Sequence, residues 1–181
     1  MGRLASSLVV LVLLLTHSGL TCLAVPGVTD LEAEEYAVYS ALITALIEEA
    51  LPVELVVIND RTAPTAKPHY LSGMSLKETY ESYKAKNERS YSLERRFDLK
   101  VKYELVSSNE DIMLLMTKFA AWHPRGRGCL LFSRVGLNRE KTEALVYVRV
   151  YRTPASRADG YLLKKKNGTW KVKRARHLWI A

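Results

Sequence analysis

The chain has 181 residues, 48% of them hydrophobic, and a formal net charge of +8 at pH 7. That length is sufficient for one domain with a hydrophobic core of its own. Only two cysteines are present, which excludes the disulfide-dense class of small secreted modules.

Residues 1–24 have the layout of a cleaved secretory signal peptide. A basic start precedes an apolar run at residues 8–15, and Cys22 and Ala24 are small residues at the positions that a signal peptidase reads. A membrane anchor is one alternative, but the apolar run is shorter than the ~20 residues that span a bilayer. A lipoprotein that keeps Cys22 is another, although the residues before it fit that signal poorly. We therefore predict a secreted or periplasmic protein with residues 25–181 as a single mature domain.

The first half of this domain is predicted to alternate helices and strands. A capping-box sequence at residues 29–32 opens a helix that ends before Pro52. Residues 53–58 are apolar, short and rich in valine and isoleucine, which predicts a buried strand. A second capping box at residues 75–78 opens a second helix. The alternation of apolar and polar residues at 97–105 then predicts a half-buried strand.

The second half is predicted to be mostly strand. A third helix is expected at residues 108–119, followed by strands at 130–135 and 143–151. Two further strands, within residues 161–174, flank Asn167-Gly168, which is the strongest short-range hairpin signal. The predicted fold class is α+β, with about three helices packed on one face of a curved antiparallel sheet.

Positive charge is concentrated in the C-terminal part of the chain. Residues 25–120 contain 16 acidic and 11 basic residues, whereas residues 121–181 contain 3 acidic and 15 basic residues. Such a surface attracts anions, and salt weakens the attraction. A solvated sheet face that binds nothing is the alternative. The candidate anion-binding residues lie on or beside the last predicted hairpin: Lys164, Lys165, Lys166, Lys171, Lys173, Arg174 and Arg176.

The candidate catalytic residues are His123 and Cys129, a possible base and thiol nucleophile. Arg125 and Arg127 lie between them in the sequence and are of the type that lowers a thiol pKa. The flanking sequence matches no protease or transferase signature. A free cysteine at the start of an apolar strand also packs well as a small hydrophobic residue.

No motif predicts a metal or a cofactor. His69, His123 and His177 lie on separate predicted elements, and no Cys-x-x-Cys pair is present. Ser133 and Arg134 are neighbours on a predicted strand, so their side chains point to opposite faces and cannot act as an adjacent pair. We expect Arg134 to form an ion pair with Glu143 across the hairpin.

Three segments carry a resemblance to a group of uncharacterised exported bacterial proteins. They are "EEYAVYSALI" at 34–43, "FSRVGLNREKTEALVYV" at 132–148 and "GYLLKKKNGTWKV" at 160–172. This chain departs from the group in having Leu137 where an aromatic residue is expected, and in a 152–158 loop that is less glycine-rich. The resemblance implies export and no particular activity. The order of elements is also loosely similar to the cystatin and NTF2-like fold, a likeness that bears on fold alone.

These observations favour a non-catalytic exported domain that binds a ligand or an anion, with a basic C-terminal sheet face. The implied partner is an anionic polymer or a membrane surface. Nucleic acid is disfavoured, because export and the lack of a base-stacking motif both argue against it. The alternative function is a hydrolase that uses the pair of Cys129 and His123.

Overall fold

The computed structural model describes five stretches of the chain: residues 31–48, 53–64, 68–107, 128–151 and 156–180. The predicted signal peptide, the predicted third helix and His123 lie outside these stretches. None of the helices within them has the length and apolar composition needed to cross a membrane.

The described residues form two α-helices, one 3₁₀ helix and seven strands. In chain order these are α1 (Ala33–Glu48), β1 (Leu55–Asn59), the 3₁₀ helix (Pro68–Leu71), α2 (Lys77–Lys86), β2 (Lys102–Val106), β3 (Cys129–Phe132), β4 (Gly136–Leu137), β5 (Glu143–Tyr151), β6 (Ser156–Lys166) and β7 (Thr169–Ile180). All seven strands belong to one sheet in the order β2-β1-β3-β5-β6-β7, and β4 also pairs with β5.

The sheet is mixed, so the prediction of an antiparallel sheet is wrong. β1 pairs in parallel with β2 and β3, whereas all pairs that involve β5 or β6 are antiparallel. The antiparallel prediction came from hairpin signals after Cys129, and such signals report only on strands that follow one another along the chain. The two partners of β1 are distant in sequence, where no local pattern specifies direction.

The strand predicted at residues 97–105 is only partly present, because β2 begins at Lys102. Phe97 is buried instead against the ring of Tyr36, with a centroid separation of 5.3 Å and an edge-on geometry. The backbone N–H of Asp98 donates to Ser40 Oγ at 2.9 Å rather than to a neighbouring strand. Packing against α1 therefore overrides the alternating pattern in this segment.

α1 packs on one face of the sheet with the residues that its helical spacing predicts. Tyr39, Leu42 and Ile43 are fully buried there. They belong to the main hydrophobic core, to which β5 contributes every second residue: Ala144, Val146, Val148 and Val150. Because strand side chains alternate between faces, the residues of β5 between these point to the opposite side.

α2 and the 3₁₀ helix pack on that opposite side, so the prediction that the helices share one face is wrong. The described part of the chain also has two α-helices rather than the predicted three. The second core contains Leu71, Met74, Tyr83, Leu145 and Leu162. A Cβ atom at Gly136 would lie 2.4 Å from Tyr83 Cβ, so the absence of a side chain lets α2 approach β4 closely.

The two hairpin predictions are confirmed. β3 and β4 pair with β5, although the residues between Phe132 and Gly136 interrupt the first strand. β6 and β7 flank Asn167 and Gly168, whose φ angles are 51° and 77°. Positive φ at both residues is what the predicted type I′ turn requires. This hairpin brings the basic residues of the C-terminal part onto two adjacent strands.

Candidate functional site

β7 carries most of the predicted basic residues and lies at one edge of the sheet. Among the described strands it pairs with β6 alone. The ladder shifts register twice, between Ala158 and Asp159 and between Leu162 and Leu163 of β6. Each shift leaves one residue of β7, Leu178 or Lys173, without a partner opposite it. Such bulges bend a strand and locally change the direction of its side chains.

Two of the predicted anion-binding lysines are already paired with carboxylates. Lys165 Nζ lies 2.8 Å from Glu34 Oε1, which also accepts a hydrogen bond from the indole of Trp170. Lys164 forms an ion pair with Glu143. Burial raises the pKa of each carboxyl group, but hydrogen bonds outweigh it and both pKa values are lowered. Lys165 and Trp170 donate to Glu34, whereas Lys164, the Leu76 N–H and Thr79 donate to Glu143. At neutral pH the charges of Lys164 and Lys165 are therefore compensated.

The two arginines of β7 donate to backbone carbonyls rather than to carboxylates. Arg174 Nη2 lies 2.9 Å from the carbonyl oxygen of Gly73. Arg176 Nη1 contacts the carbonyl oxygens of Tyr70 at 2.9 Å and Ser72 at 3.1 Å. These bonds hold both guanidinium groups over the 3₁₀ helix and the segment after it without cancelling their charge. Each guanidinium has further N–H donors available for an anion.

Lys166, Lys171 and Lys173 are exposed, and no described carboxylate lies within ion-pair distance of them. Together with Arg174 and Arg176 they form what we call the basic ribbon. Its members are uncompensated by any described acidic side chain and extend from the hairpin turn along β7. The structure thus reduces the seven predicted anion-binding residues to five that retain net charge.

Cys129 lies in the sheet interior and is fully buried. It sits opposite Val57 of β1 and Tyr151 of β5, in a small apolar cluster with Leu55. Burial raises the pKa of its thiol to about 12, so the reactive thiolate is scarce at neutral pH. This geometry matches a thiol packed as a hydrophobic residue better than a nucleophile.

Ser133 and Arg134 are both buried, and both serve as structural residues. The Ser133 hydroxyl accepts the backbone N–H of Tyr147 at 2.9 Å, and its carbonyl accepts the Tyr39 hydroxyl at 2.7 Å. Arg134 pairs with Glu35 of α1, so the predicted pair with Glu143 is wrong. Glu143 is occupied by Lys164.

Two acidic residues that organise this region, Glu34 and Glu35, were not predicted, and a third, Glu143, was predicted with the wrong partner. Glu34 and Glu143 neutralise lysines of the hairpin, and Glu35 receives Arg134. Only one signal was available for them: Glu34 and Glu35 lie in the first turn of α1, where a carboxylate is favourable for the helix dipole. Nothing in the sequence around Glu143 indicates that its carboxylate accepts a hydrogen bond from Leu76, 67 positions earlier in the chain.

A cavity between α1 and the sheet offers little space for a ligand. It is lined by aliphatic side chains of α1, β1, β3 and β5 and by Arg157. Only about 20 Å³ is free for water-sized occupants, whereas small-molecule sites usually measure ~300–1,000 Å³. No group of three or more His, Cys, Asp or Glu side chains in the described residues is arranged to hold a metal ion.

The comparisons with known proteins add no relative from which a function could be transferred. No protein family, no curated protein and no solved structure matches this chain.

Proposed function

We propose that this protein is an exported, non-catalytic domain that binds anions through the basic ribbon of the β6–β7 hairpin. The observation that carries the proposal is the set of five cationic side chains with no described carboxylate beside them, in a protein that neutralises Lys164 and Lys165 with the carboxylates of Glu143 and Glu34. Like charges held on adjacent positions repel one another, and a bound anion relieves that repulsion.

The hydrolase alternative is less well supported by the described residues. Cys129 is fully buried and its thiol pKa is raised to about 12, which disfavours nucleophilic attack at neutral pH. His123, its proposed base, lies outside the described residues. A second candidate role for the ribbon is protection of the sheet edge, since lysines and bulges on an edge strand discourage pairing with other chains.

Retention on immobilised heparin across a salt gradient tests anion binding. Three exposed lysines of the ribbon are replaced together in a K166Q/K171Q/K173Q variant. The matched control is K77Q/K100Q/K102Q, which removes the same charge from exposed lysines elsewhere, one of them on the opposite edge strand β2. We expect the ribbon variant to elute at markedly lower salt than the wild type and the control to elute close to the wild type.

Equal loss of retention in both variants would show that net charge alone drives binding, and would contradict a ribbon site. Weak retention of all three proteins would leave edge protection as the role of the charge. Circular dichroism and thermal unfolding of each variant establish that the comparison is between folded proteins.

A further inference from the structure

The outer side of β7 is an unoccupied strand edge within the described part of the chain. β7 has 12 residues, which corresponds to ~40 Å of extended backbone. It pairs with β6 on one side, and no described strand or loop backbone bonds to its other side. Backbone N–H and C=O groups that point away from β6 therefore remain available, and such an edge is a template for an added strand.

The charge of β7 determines which chain can add to this edge. A second copy of β7 would place lysines and arginines opposite lysines and arginines, and like charges directly opposite destabilise a strand pair. An acidic strand instead places carboxylates opposite Lys171, Arg174 and Arg176. Charge complementarity thus selects against self-pairing and in favour of an acidic partner.

The register shifts define where an added strand can pair. Residues 169–172 precede the first bulge of β7, and residues 174–177 lie between the two bulged positions. Each stretch is regular for four residues, which suits a short extended peptide rather than open-ended sheet growth. Five of the eight residues in these stretches are exposed to solvent: Thr169, Lys171, Arg174, Ala175 and His177.

We infer that the basic ribbon binds its partner by strand addition, with an acidic, extended peptide segment pairing along the free edge of β7. This inference rests on the proposed anion binding and makes it more specific. Main-chain hydrogen bonds to β7 supply the geometry, and the ribbon side chains select carboxylates at alternate positions. A flexible polyanion without a peptide backbone cannot pair with the edge of β7 and binds through the ribbon side chains alone.

Two synthetic peptides of equal charge separate these modes. The first has eight residues with alternating Glu and Thr and blocked termini. The second has the same sequence with N-methyl groups on the two central adjacent residues. Adjacent residues of a strand point their N–H groups to opposite edges, so this peptide loses a donor whichever edge it presents.

Fluorescence anisotropy of the labelled peptides measures their affinity for the purified protein at low salt. We expect the unmodified peptide to bind at least tenfold more tightly than the N-methylated one. In NMR spectra of the protein, we also expect the unmodified peptide to shift the backbone amide resonances of residues 169–180 and not those of the other edge strand, β2. The K166Q/K171Q/K173Q variant should lose binding of the unmodified peptide, whereas K77Q/K100Q/K102Q should keep it.

The outcomes distinguish this inference from the proposed function. Equal affinity for both peptides, with heparin retention intact, would overturn strand addition and leave side-chain anion binding in place. Heparin retention without binding of either peptide would do the same. Loss of both peptide binding and heparin retention would overturn both proposals. Selective binding of the unmodified peptide without heparin retention would support strand addition and overturn general polyanion binding.

Discussion

Arg134 and Glu35 form a bidentate ion pair in the protein interior although 99 positions separate them in sequence. Arg134 Nε lies 3.2 Å from Glu35 Oε2, and Nη2 lies 2.5 Å from Oε1. Their side chains are 4% and 0% exposed. The Val135 N–H and Lys86 Nζ complete the contacts of the carboxylate at 3.1 and 3.2 Å. The pair joins α1, the end of α2 and the segment between β3 and β4.

Removing one partner of this pair should cost much more stability than removing both. Arg134→Met leaves the Glu35 carboxylate buried with reduced compensation, which typically costs ~3–5 kcal/mol. The double variant E35M/R134M should be less destabilised than R134M, because neither charge remains to be desolvated. Urea unfolding of the three proteins measures these differences. A loss below ~1 kcal/mol in R134M would contradict a buried, energetically coupled pair.

Glu143 should stabilise the start of α2 from outside the helix. Its Oε1 atom accepts the Leu76 N–H and the Thr79 hydroxyl, both at 2.7 Å. We expect Glu143→Gln to cost ~1–3 kcal/mol, because the amide oxygen can still accept from these donors but the charge that strengthens both bonds and pairs with Lys164 is lost. Faster hydrogen exchange at the Leu76 amide is the local measurement of this effect.

The control for Glu143 is Glu81→Gln on the same helix. Glu81 makes an exposed ion pair with Lys84 three residues along, and such pairs contribute little to stability because solvent screens them. We expect E81Q to leave both the unfolding free energy and the exchange of Leu76 nearly unchanged. An equal effect in E81Q and E143Q would attribute the loss to general helix electrostatics rather than to the contact with Glu143.

Glu32 should contribute stability at neutral pH that is lost in acid. Hydrogen bonds from Lys141 and Lys86 lower the pKa of its carboxyl group from 4.5 to about 2. A depressed pKa in the folded state means that the contribution is complete above pH 4.5 and disappears as the pH falls towards 2. Because the side chain is 40% exposed, solvent screening limits the contribution to ~1 kcal/mol.

To measure the contribution of Glu32, the unfolding free energies of the wild type and E32Q are compared from pH 7 to pH 2. The difference should be constant near neutrality and should vanish towards the acid end of the range. A difference that grows as the pH falls would have the wrong sign for a salt-bridged carboxylate. Glu94→Gln, at an exposed glutamate paired with Arg96, is the control.

Cys129 should resist thiol reagents in the folded protein. Its side chain is fully buried and its pKa is raised to about 12, so both access and thiolate formation are limited. At pH 8 we expect an aromatic disulfide reagent to react only as fast as the protein opens, and to react rapidly in denaturant. Rapid reaction in the native state would instead restore the thiol as a candidate nucleophile.

Local sequence patterns predicted the elements whose signals are contained in a few residues. The Asn167-Gly168 turn and the buried face of α1 depend on contacts within one hairpin or one helix, and both are confirmed. The second capping box failed differently: the N-cap residue of α2 is Leu76 rather than Ser75, the Ser75 hydroxyl donates to the Leu76 carbonyl, and Glu143 accepts the Leu76 N–H. Propensity identified the start of the helix but not the residue that stabilises it.

Long-range relationships account for the errors in the predicted sheet and site. The parallel partners of β1 come from residues 102–106 and 129–130, and nothing in residues 55–59 specifies their direction. The basic stretch was visible in the sequence, but the loss of Lys164 and Lys165 to Glu143 and Glu34 was not. Net charge along a chain predicts where a basic surface lies, whereas ion pairing in the fold decides which of its members remain available.

The contacts of α1 have a consequence for folding while the chain is being synthesised. Three side chains of α1 form hydrogen bonds with partners far along the chain. Tyr39 bonds to Ser133, Glu35 to Arg134 and Glu34 to Trp170, at separations of 94, 99 and 136 positions. The ribosome therefore releases α1 early, while these polar partners are still untranslated. The contacts of α1 therefore cannot be complete until Trp170 has been synthesised. A shortened chain that ends before Trp170 lacks a bond that α1 makes in the finished protein.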